Sequence, residues 1–439
     1  MTFRNYIQRL AERGGLTTVS TPISKTNEIA AVLKHLEPRA VLFENVHESE
    51  FRVAGNIFCT KGNFADYFGI TVSEIIPTLT QAIANRVMPQ IDTFDGGIST
   101  APCQEVVHLA PDLDTIPILH HFDGDGGAFI TSGVFITKHP THGQNMDFHR
   151  AMPFSPSEMA IRVVKGRHFD AFLGDLGQID VAICIGVAPN VLAAAATSVE
   201  LGVDELAIAH ALEPLQVTRA HSVDLLIPAE TEFVIEGTVY RDKLHAEGPF
   251  VDLTETQDII RQQPVFEVKT ITHRVDAIWS ALLPGGLEHK LLMGMPREPT
   301  IFEKVNQVVR CLDVNINPGG ASWLHAIVKI EKQHQNDGVN AIRAAFAGHR
   351  SCKHVYVVDN DIDIYDPLQV EWALATRFQG DRDMIVLEKE PGSSLDPSAE
   401  AGTKMTTKIG FDLTAPVGQA RRHYKKVPYP DVDISKFVG

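Results

Sequence analysis

Glu232-Phe-Val-Ile-Glu-Gly-Thr-Val-Tyr240 is rich in β-branched and aromatic residues and reads as a β-strand. Phe129–Thr137 and Val181–Val187 have the same texture, and turns built from Gly, Pro and Asp separate the three. Across residues 101–298 this pattern predicts a compact barrel or sandwich with helical insertions, Ala207–Leu212 being one. Upstream, residues 1–100 read as an α/β region. There Thr26 or Asn27 can cap a helix with Ile29, Val32, Leu33 and Leu36 on its apolar face, and Ala40–Phe43 follows as a buried strand. Downstream, Ile301, Val305, Val308 and Val309 recur at helical spacing, which predicts a linker helix over 299–312. From 313 to 439 the order is strand (Leu324–Ile330), helix (from Asp337), strand (His354–Val358), helix (Pro367–Thr376) and strand (Met384–Leu387). That alternation predicts a parallel α/β domain with right-handed crossovers. The fold class expected for the whole is α/β (α+β).

Bulk properties exclude several classes. With 439 residues, 44% hydrophobic and 21% charged, the chain is globular and long enough for two or three domains. Its first ten residues lack an apolar signal core, and no apolar run approaches the roughly 18 residues of a membrane span. Five scattered cysteines without a C-x-x-C pair argue against a disulfide framework or a zinc ribbon and fit a reducing, cytoplasmic setting. A net charge of −16 disfavours nucleic acid and anionic membrane surfaces as partners. It also means that an anionic ligand needs a local cationic pocket.

Several apparent motifs fail on inspection. Gly124-Asp-Gly-Gly-Ala-Phe129 lacks the third glycine of a dinucleotide fingerprint and precedes a strand. The aspartates from Asp359 to Asp366 resemble a calcium loop, but Ile364 and Val370 stand where a glycine and a bidentate glutamate are needed. Ser132, Ser198 and Ser322 have no G-x-S-x-G setting, so a hydrolase elbow is absent. Three segments remain. Asn145-Met-Asp-Phe-His-Arg150 sets an amide and a guanidinium five residues apart. Gly166-Arg167-His168 and Gly202-Val-Asp-Glu205 follow, and Glu247-Gly-Pro-Phe-Val-Asp252 places two carboxylates around a Gly-Pro turn. Singly, each reads as structural.

Their order and spacing resemble the UbiD-like decarboxylases, from about Pro102 to Pro416. Gly186–Thr197 resembles that family's cofactor loop, and Thr403-Lys-Met-Thr-Thr-Lys408 its lysine-bearing tail motif. The resemblance implies a split β-barrel domain like that of flavin reductases, binding prenylated FMN. It implies Asn145, His168 and Glu205 as ligands of Mn²⁺ or Mg²⁺, a donor set suited to such hard cations. K⁺ is a second cation in relatives, held near Ala195–Ser198. Implied cofactor contacts are Phe148, His149, Arg150, Arg167, His168, Ala195, Ala196, Thr197, Ser198 and Lys408. Glu247, Arg150 and Asp252 would form the catalytic network. In it Arg150 grips the substrate carboxylate with a bidentate fork, Glu247 donates the proton that replaces CO₂, and Asp252 orients Arg150. A flavin prenyltransferase would supply the cofactor, and a homo-oligomer, dimer or hexamer, is implied.

After Phe250 the sequence reads Val-Asp252-Leu-Thr-Glu-Thr, where many aromatic-acid members continue Gly-Asp/Glu-His-x-Gly-Tyr-Tyr. With the Leu283-Pro-Gly-Gly-Leu-Glu-His289 loop, this resembles an archaeal branch that converts trans-anhydromevalonate 5-phosphate to isopentenyl phosphate. Arg167, Lys165, His149 or His289 could then face a phosphorylated carboxylic acid. The alternatives are a decarboxylase of a hydroxylated or prenylated benzoate and, in another class, a non-catalytic flavin-binding module.

Overall fold

The computed structural model describes residues 1–91 and 101–437. The boundary expected at residue 100 thus lies outside the described residues. Two compact units emerge. The first holds Met1–Pro299 with Pro318–Trp323 and Leu395–Pro397, and the second holds Thr300–Asn317, Leu324–Ser394 and the chain from Ser398. Among the described residues no helix is long and apolar enough to cross a membrane.

Among the described residues the first unit contains two large sheets and two two-stranded ones. Leu16–Val19, Ala40–Phe43, Arg52–Gly55 and Ile278–Ala281 make a mixed four-stranded sheet, so the N-terminal region borrows its last strand from the end of the middle one. Helix Glu28–Leu36 packs here. Asn27 stands at its N-cap, yet neither expected cap bonds the helix, because the Asn27 amide turns to Asp123.

The second sheet positions the site. Its antiparallel path runs Gly143–Phe148, Val134–His139, Gln178–Ile185, Phe233–Glu247, Arg261–His273, Glu158–Ile161, Ala151–Ser155. Both faces are covered. Phe233, Ile235 and Val239 join one core with Ile179, Val181, Ile183 and Ile185, while Val234 joins another with Ala182, Cys184 and residues of helices Pro189–Ala196 and Glu205–Leu212. Burial on both faces explains why these strands read as apolar runs with little alternation. The two ends of the path, Gly143–Phe148 and Ala151–Ser155, are consecutive in sequence and joined only by His149 and Arg150. Three Cα steps reach at most about 11 Å, so the sheet must curl until its edges nearly meet. That is a split barrel, with Arg150 at its seam.

The opening strand is longer than its sequence signal. It runs from Phe233 to Glu247, with register shifts at Glu236/Gly237 and Tyr240/Leu244, and so delivers Glu247 at its far end.

The second unit corrects two expectations. Its sheet order is Cys311–Ile316, His325–Ile330, His354–Asp359, Met405–Asp412, Met384–Pro391, and only the central three strands are parallel. The strand at Met384 is not the third parallel member but an antiparallel edge. None of its residues is fully buried, and Glu388, Lys389 and Glu390 suit an edge. Met405–Asp412 takes the inner place. The linker helix also ends early, at Asn306, and β-prone Cys311 and its successors form an edge strand where helix was expected to continue.

At the first register shift a Cβ on Gly237 would lie 2.0 Å from the Glu267 carbonyl oxygen. Gly237→Ala should therefore lower stability by about 1–3 kcal/mol, read as a lower urea midpoint.

Candidate active site

Arg150 leaves the seam and meets three carboxylates. Its Nε donates to Glu247 Oε1 at 2.7 Å, Nη1 to Asp252 Oδ2 at 2.8 Å, and Nη2 to Glu247 Oε2 at 3.4 Å and Asp258 Oδ2 at 3.1 Å. The guanidinium lies 4.3 Å from the centre of the Phe250 ring, which packs on Phe129. Glu247 is 0% exposed. Burial alone would lower the Arg150 pKa, but its carboxylates raise it above the usual value. Asp258 also receives Arg261 Nη1. Burial opposes its ionisation, but Arg261, the Ile259 amide and Arg150 outweigh that and bring its pKa down to about 2.

This geometry revises the role expected of Arg150. Of the five N–H bonds of a guanidinium, four are already directed at protein carboxylates. No open fork remains for a substrate carboxylate. The physical reason is Asp258, which sequence reasoning missed. It arrives through the short hairpin of Phe250–Val251 with Gln257–Asp258, whose register no motif announces.

A second turn braces the first. Gly126 N donates to Pro249 O, and Asp125 Oδ1 accepts from Val251 N at 3.0 Å. A Cβ on Gly126 would sit 2.2 Å from Gly248 O, which explains the glycine in a segment whose dinucleotide reading failed.

The expected metal ligands come together on neighbouring elements. Asn145, on the other edge strand, has Oδ1 2.9 Å from Nδ1 of His168, the first residue of helix His168–Leu176. Glu205 opens helix Glu205–Leu212 and accepts from Met146 N at 2.8 Å. It is 2% exposed, and burial, with Asp147 and Asp204 nearby, pushes its carboxyl up to about 9. The Asn145 amide nitrogen is buried without a partner. The Asn145 amide oxygen, the His168 imidazole and the disfavoured Glu205 carboxylate are the donor types that suit a hard cation. Among the described residues no group of three His, Cys, Asp or Glu side chains could hold a metal. The amide and further oxygens are therefore essential to the set.

Family models match nearly the whole chain. The 3-octaprenyl-4-hydroxybenzoate carboxy-lyase N-terminal domain covers residues 7–83, the Rift-related domain 97–287 and the C-terminal domain 290–413. The chain belongs to the UbiD family. Similar relatives include the anhydromevalonate phosphate decarboxylases of Methanocaldococcus jannaschii (37% identical, covering 92% of this chain and 95% of the relative) and Methanosarcina mazei (38%, 94% and 96%). Among solved structures, the UbiD-class enzyme HmfF from Pelotomaculum thermopropionicum, in complex with FMN, is 32% identical, covers 100% of both chains and has a TM-score of 0.95.

The other residues expected from the UbiD resemblance divide. Thr197 and Ser198 follow helix Pro189–Ala196, which ends in Ala195 and Ala196. Thr197 Oγ1 donates to Ala193 O, and Ser198 Oγ accepts from Arg297. Phe148 is half-buried and Arg167 exposed. His149 is a core residue, contrary to its expected cofactor or phosphate contact. Its Nδ1 lies 3.0 Å from Arg162 O and its Nε2 3.0 Å from Asp147 Oδ1, off the axis of a straight hydrogen bond, with Phe135 and Phe169 on the ring. His289 Nδ1 accepts from Gly285 N. Burial first, then Arg150 and Lys290, lower its pKa against the pull of Asp252, so neutral His289 keeps Nε2–H as a donor. Lys408 belongs to the second unit, where Nζ donates to Arg350 O and lies over Phe346.

Glu205 carries a pH signature. Its folded pKa lies above the ordinary 4.5, so between about 4.5 and about 9 the folded state holds a proton that the unfolded state has lost. Stability of the metal-free protein should fall as pH rises through that window. Glu205→Gln should flatten this fall, and Mn²⁺ should reverse it only in the parent protein, as followed by thermal melts across pH.

Proposed function

We propose that this chain is a carboxy-lyase that decarboxylates an α,β-unsaturated acid with prenylated FMN and Mn²⁺ or Mg²⁺, converting trans-anhydromevalonate 5-phosphate to isopentenyl phosphate. The observation that carries the chemistry is the buried Glu247 held by Arg150, with Asp252 and Asp258 on the same guanidinium. Support for the substrate is the naming of archaeal relatives 31–38% identical over at least 92% of this chain as anhydromevalonate phosphate decarboxylases. Support for the cofactor is the binding of FMN by HmfF and of prenylated FMN by its evolved dimeric form, 31% identical to this chain. We extend the same reading to a homo-oligomer in the cytoplasm, charged by a flavin prenyltransferase and holding K⁺ near Ala195–Ser198.

Asn145, His168 and Glu205 would hold the metal, and Phe148, Arg167 and Thr197 would contact the cofactor. Bound prenylated flavin would supply the electron sink for the pair left when CO₂ departs. The chain's own task is to deliver one proton to the carbon that loses CO₂. Glu247 can do this only when protonated, and Arg150 favours its anion. Asp252 and Asp258 resolve the conflict, because they keep the guanidinium neutralised while Glu247 accepts a proton from water. After transfer to carbon, Glu247 returns to the arginine. His289, with its free Nε2–H, can donate to an oxyanion of the substrate.

Removal of one companion acid should leave Arg150 holding Glu247 harder. Asp258→Asn should lower kcat about tenfold with little change in KM. The function itself is tested with protein co-produced with a flavin prenyltransferase and supplied with Mn²⁺. CO₂ release from trans-anhydromevalonate 5-phosphate should be robust and lost in Glu247→Gln, while turnover confined to a hydroxybenzoate panel would reassign the substrate.

A further inference from the structure

Arg150 has a twin that the chemistry above does not use. In the hairpin of Ala151–Ser155 with Glu158–Ile161, Ala151 faces Ile161, and the next pair outward is Arg150 with Arg162, joined by the bond from Arg162 N to Arg150 O at 3.0 Å. Residues directly opposite in an antiparallel pair project from the same face with Cβ atoms about 5 Å apart, and like charges so placed repel. The two arginines are balanced very differently. Arg150 has three carboxylates, whereas the Arg162 side chain makes one hydrogen bond, from Nη1 to the Val163 carbonyl oxygen at 2.8 Å. None of its guanidinium nitrogens is sealed from solvent without a partner, so its free N–H bonds face accessible space.

We propose that Arg162 is the oxyanion-binding residue of this site, the guanidinium that takes the charged group Arg150 has no fork left to hold. The group is a carboxylate or phosphate, brought either by the substrate or by the cofactor, since both carry oxyanions of the same recognition chemistry. Three features converge on this reading. Arg162 shares a face with the arginine that holds the proton donor, it forms no hydrogen-bonded ion pair with an acid, and it sits where like charges are adjacent. Burial, followed by Arg261 and Arg150, holds its pKa below the usual arginine value against the pull of Asp258 and Glu247, a penalty that a bound anion would relieve. The strand is also anchored. Val163 N donates to Gln263 Oε1 and His149 Nδ1 meets Arg162 O, so the backbone that aims Arg162 is fixed from both sides.

This inference rests on the proposed decarboxylase reading for its kinetic arm only. In the holoenzyme, Arg162→Gln should raise KM for trans-anhydromevalonate 5-phosphate roughly ten- to hundredfold while kcat changes little, and Arg162→Lys should recover part of the loss. A second arm titrates FMN and riboflavin into cofactor-free protein by flavin fluorescence. Unchanged affinity for both, with the raised KM, assigns the oxyanion to the substrate. Weakened FMN with unchanged riboflavin assigns it to the cofactor phosphate. A third arm, independent of turnover, measures the melting midpoint against inorganic phosphate. The parent should be stabilised and Arg162→Gln should not, so silence of the parent on the proposed acid would overturn the substrate assignment without touching Arg162. The inference is overturned if Arg162→Gln, folded to the parent's melting temperature, leaves KM, FMN affinity and phosphate stabilisation all within about twofold of the parent. Arg162→Met, which keeps the aliphatic stem, serves in place of Gln where the amide disturbs folding.

Discussion

Closure of the curled sheet is the constraint on which the rest of the first unit depends. The path from Gly143–Phe148 to Ala151–Ser155 passes through five intervening strands, yet in sequence only His149 and Arg150 separate its ends. A flat sheet could not obey both statements. The curl brings the metal-ligand candidate Asn145, on one edge strand, close in sequence and space to the arginine at the start of the other. It also explains why His149 turns inward among Phe135 and Phe169 while Arg150 turns toward the carboxylates. Successive residues of an extended chain point to opposite faces, so one seals the seam and the other serves the site.

Burial of Glu247 beside a cation would be costly for a lone pair, because both ions lose water. Arg150 offsets that loss through geometry. Its planar fork meets Glu247 along one edge, and Asp252 and Asp258 occupy the remaining directions, while the Phe250 ring lies against its face. Asp258 in turn leans on Arg261, directly across from Glu247 in the register of Phe233–Glu247 with Arg261–His273. The acids thus come from a strand end, a turn and a hairpin. Each is fixed by backbone pairing, so the guanidinium has little freedom to choose among them.

The legible and the hidden parts of this site differ in kind. Glu247, Arg150 and Asp252 stood out through ordered spacing, and the structure gathers them within hydrogen-bonding distance. Asn145, His168 and Glu205 were named only by the UbiD resemblance, and the structure sets Asn145 beside His168 and Glu205 on the backbone of the next residue, Met146. Asp258, Arg261 and Arg162 were not visible, because their importance arises from cross-strand register, and register depends on bulges that spacing does not encode. The same lesson holds for the second unit. Met405–Asp412 was read only as a lysine-bearing motif, although its buried alternate residues earn it the inner place over the more obvious strand at Met384. Local apolarity found strands; it could not order them.

Charge balance ties the visible and hidden residues into one device. Glu247, Asp252 and Asp258 stand against Arg150, Arg162 and Arg261, so the ionised set is neutral. A carboxylate or phosphate entering beside Arg162 makes that set negative, and the group that can restore neutrality by taking a proton is an acid already in contact with arginine. By linkage, an anion that binds the set favours proton uptake by it, and a protonated set binds the anion more tightly. Glu247 is the least exposed of the three acids. An anionic acid must be held by such local cations, in a protein whose net charge of −16 gives it no general welcome.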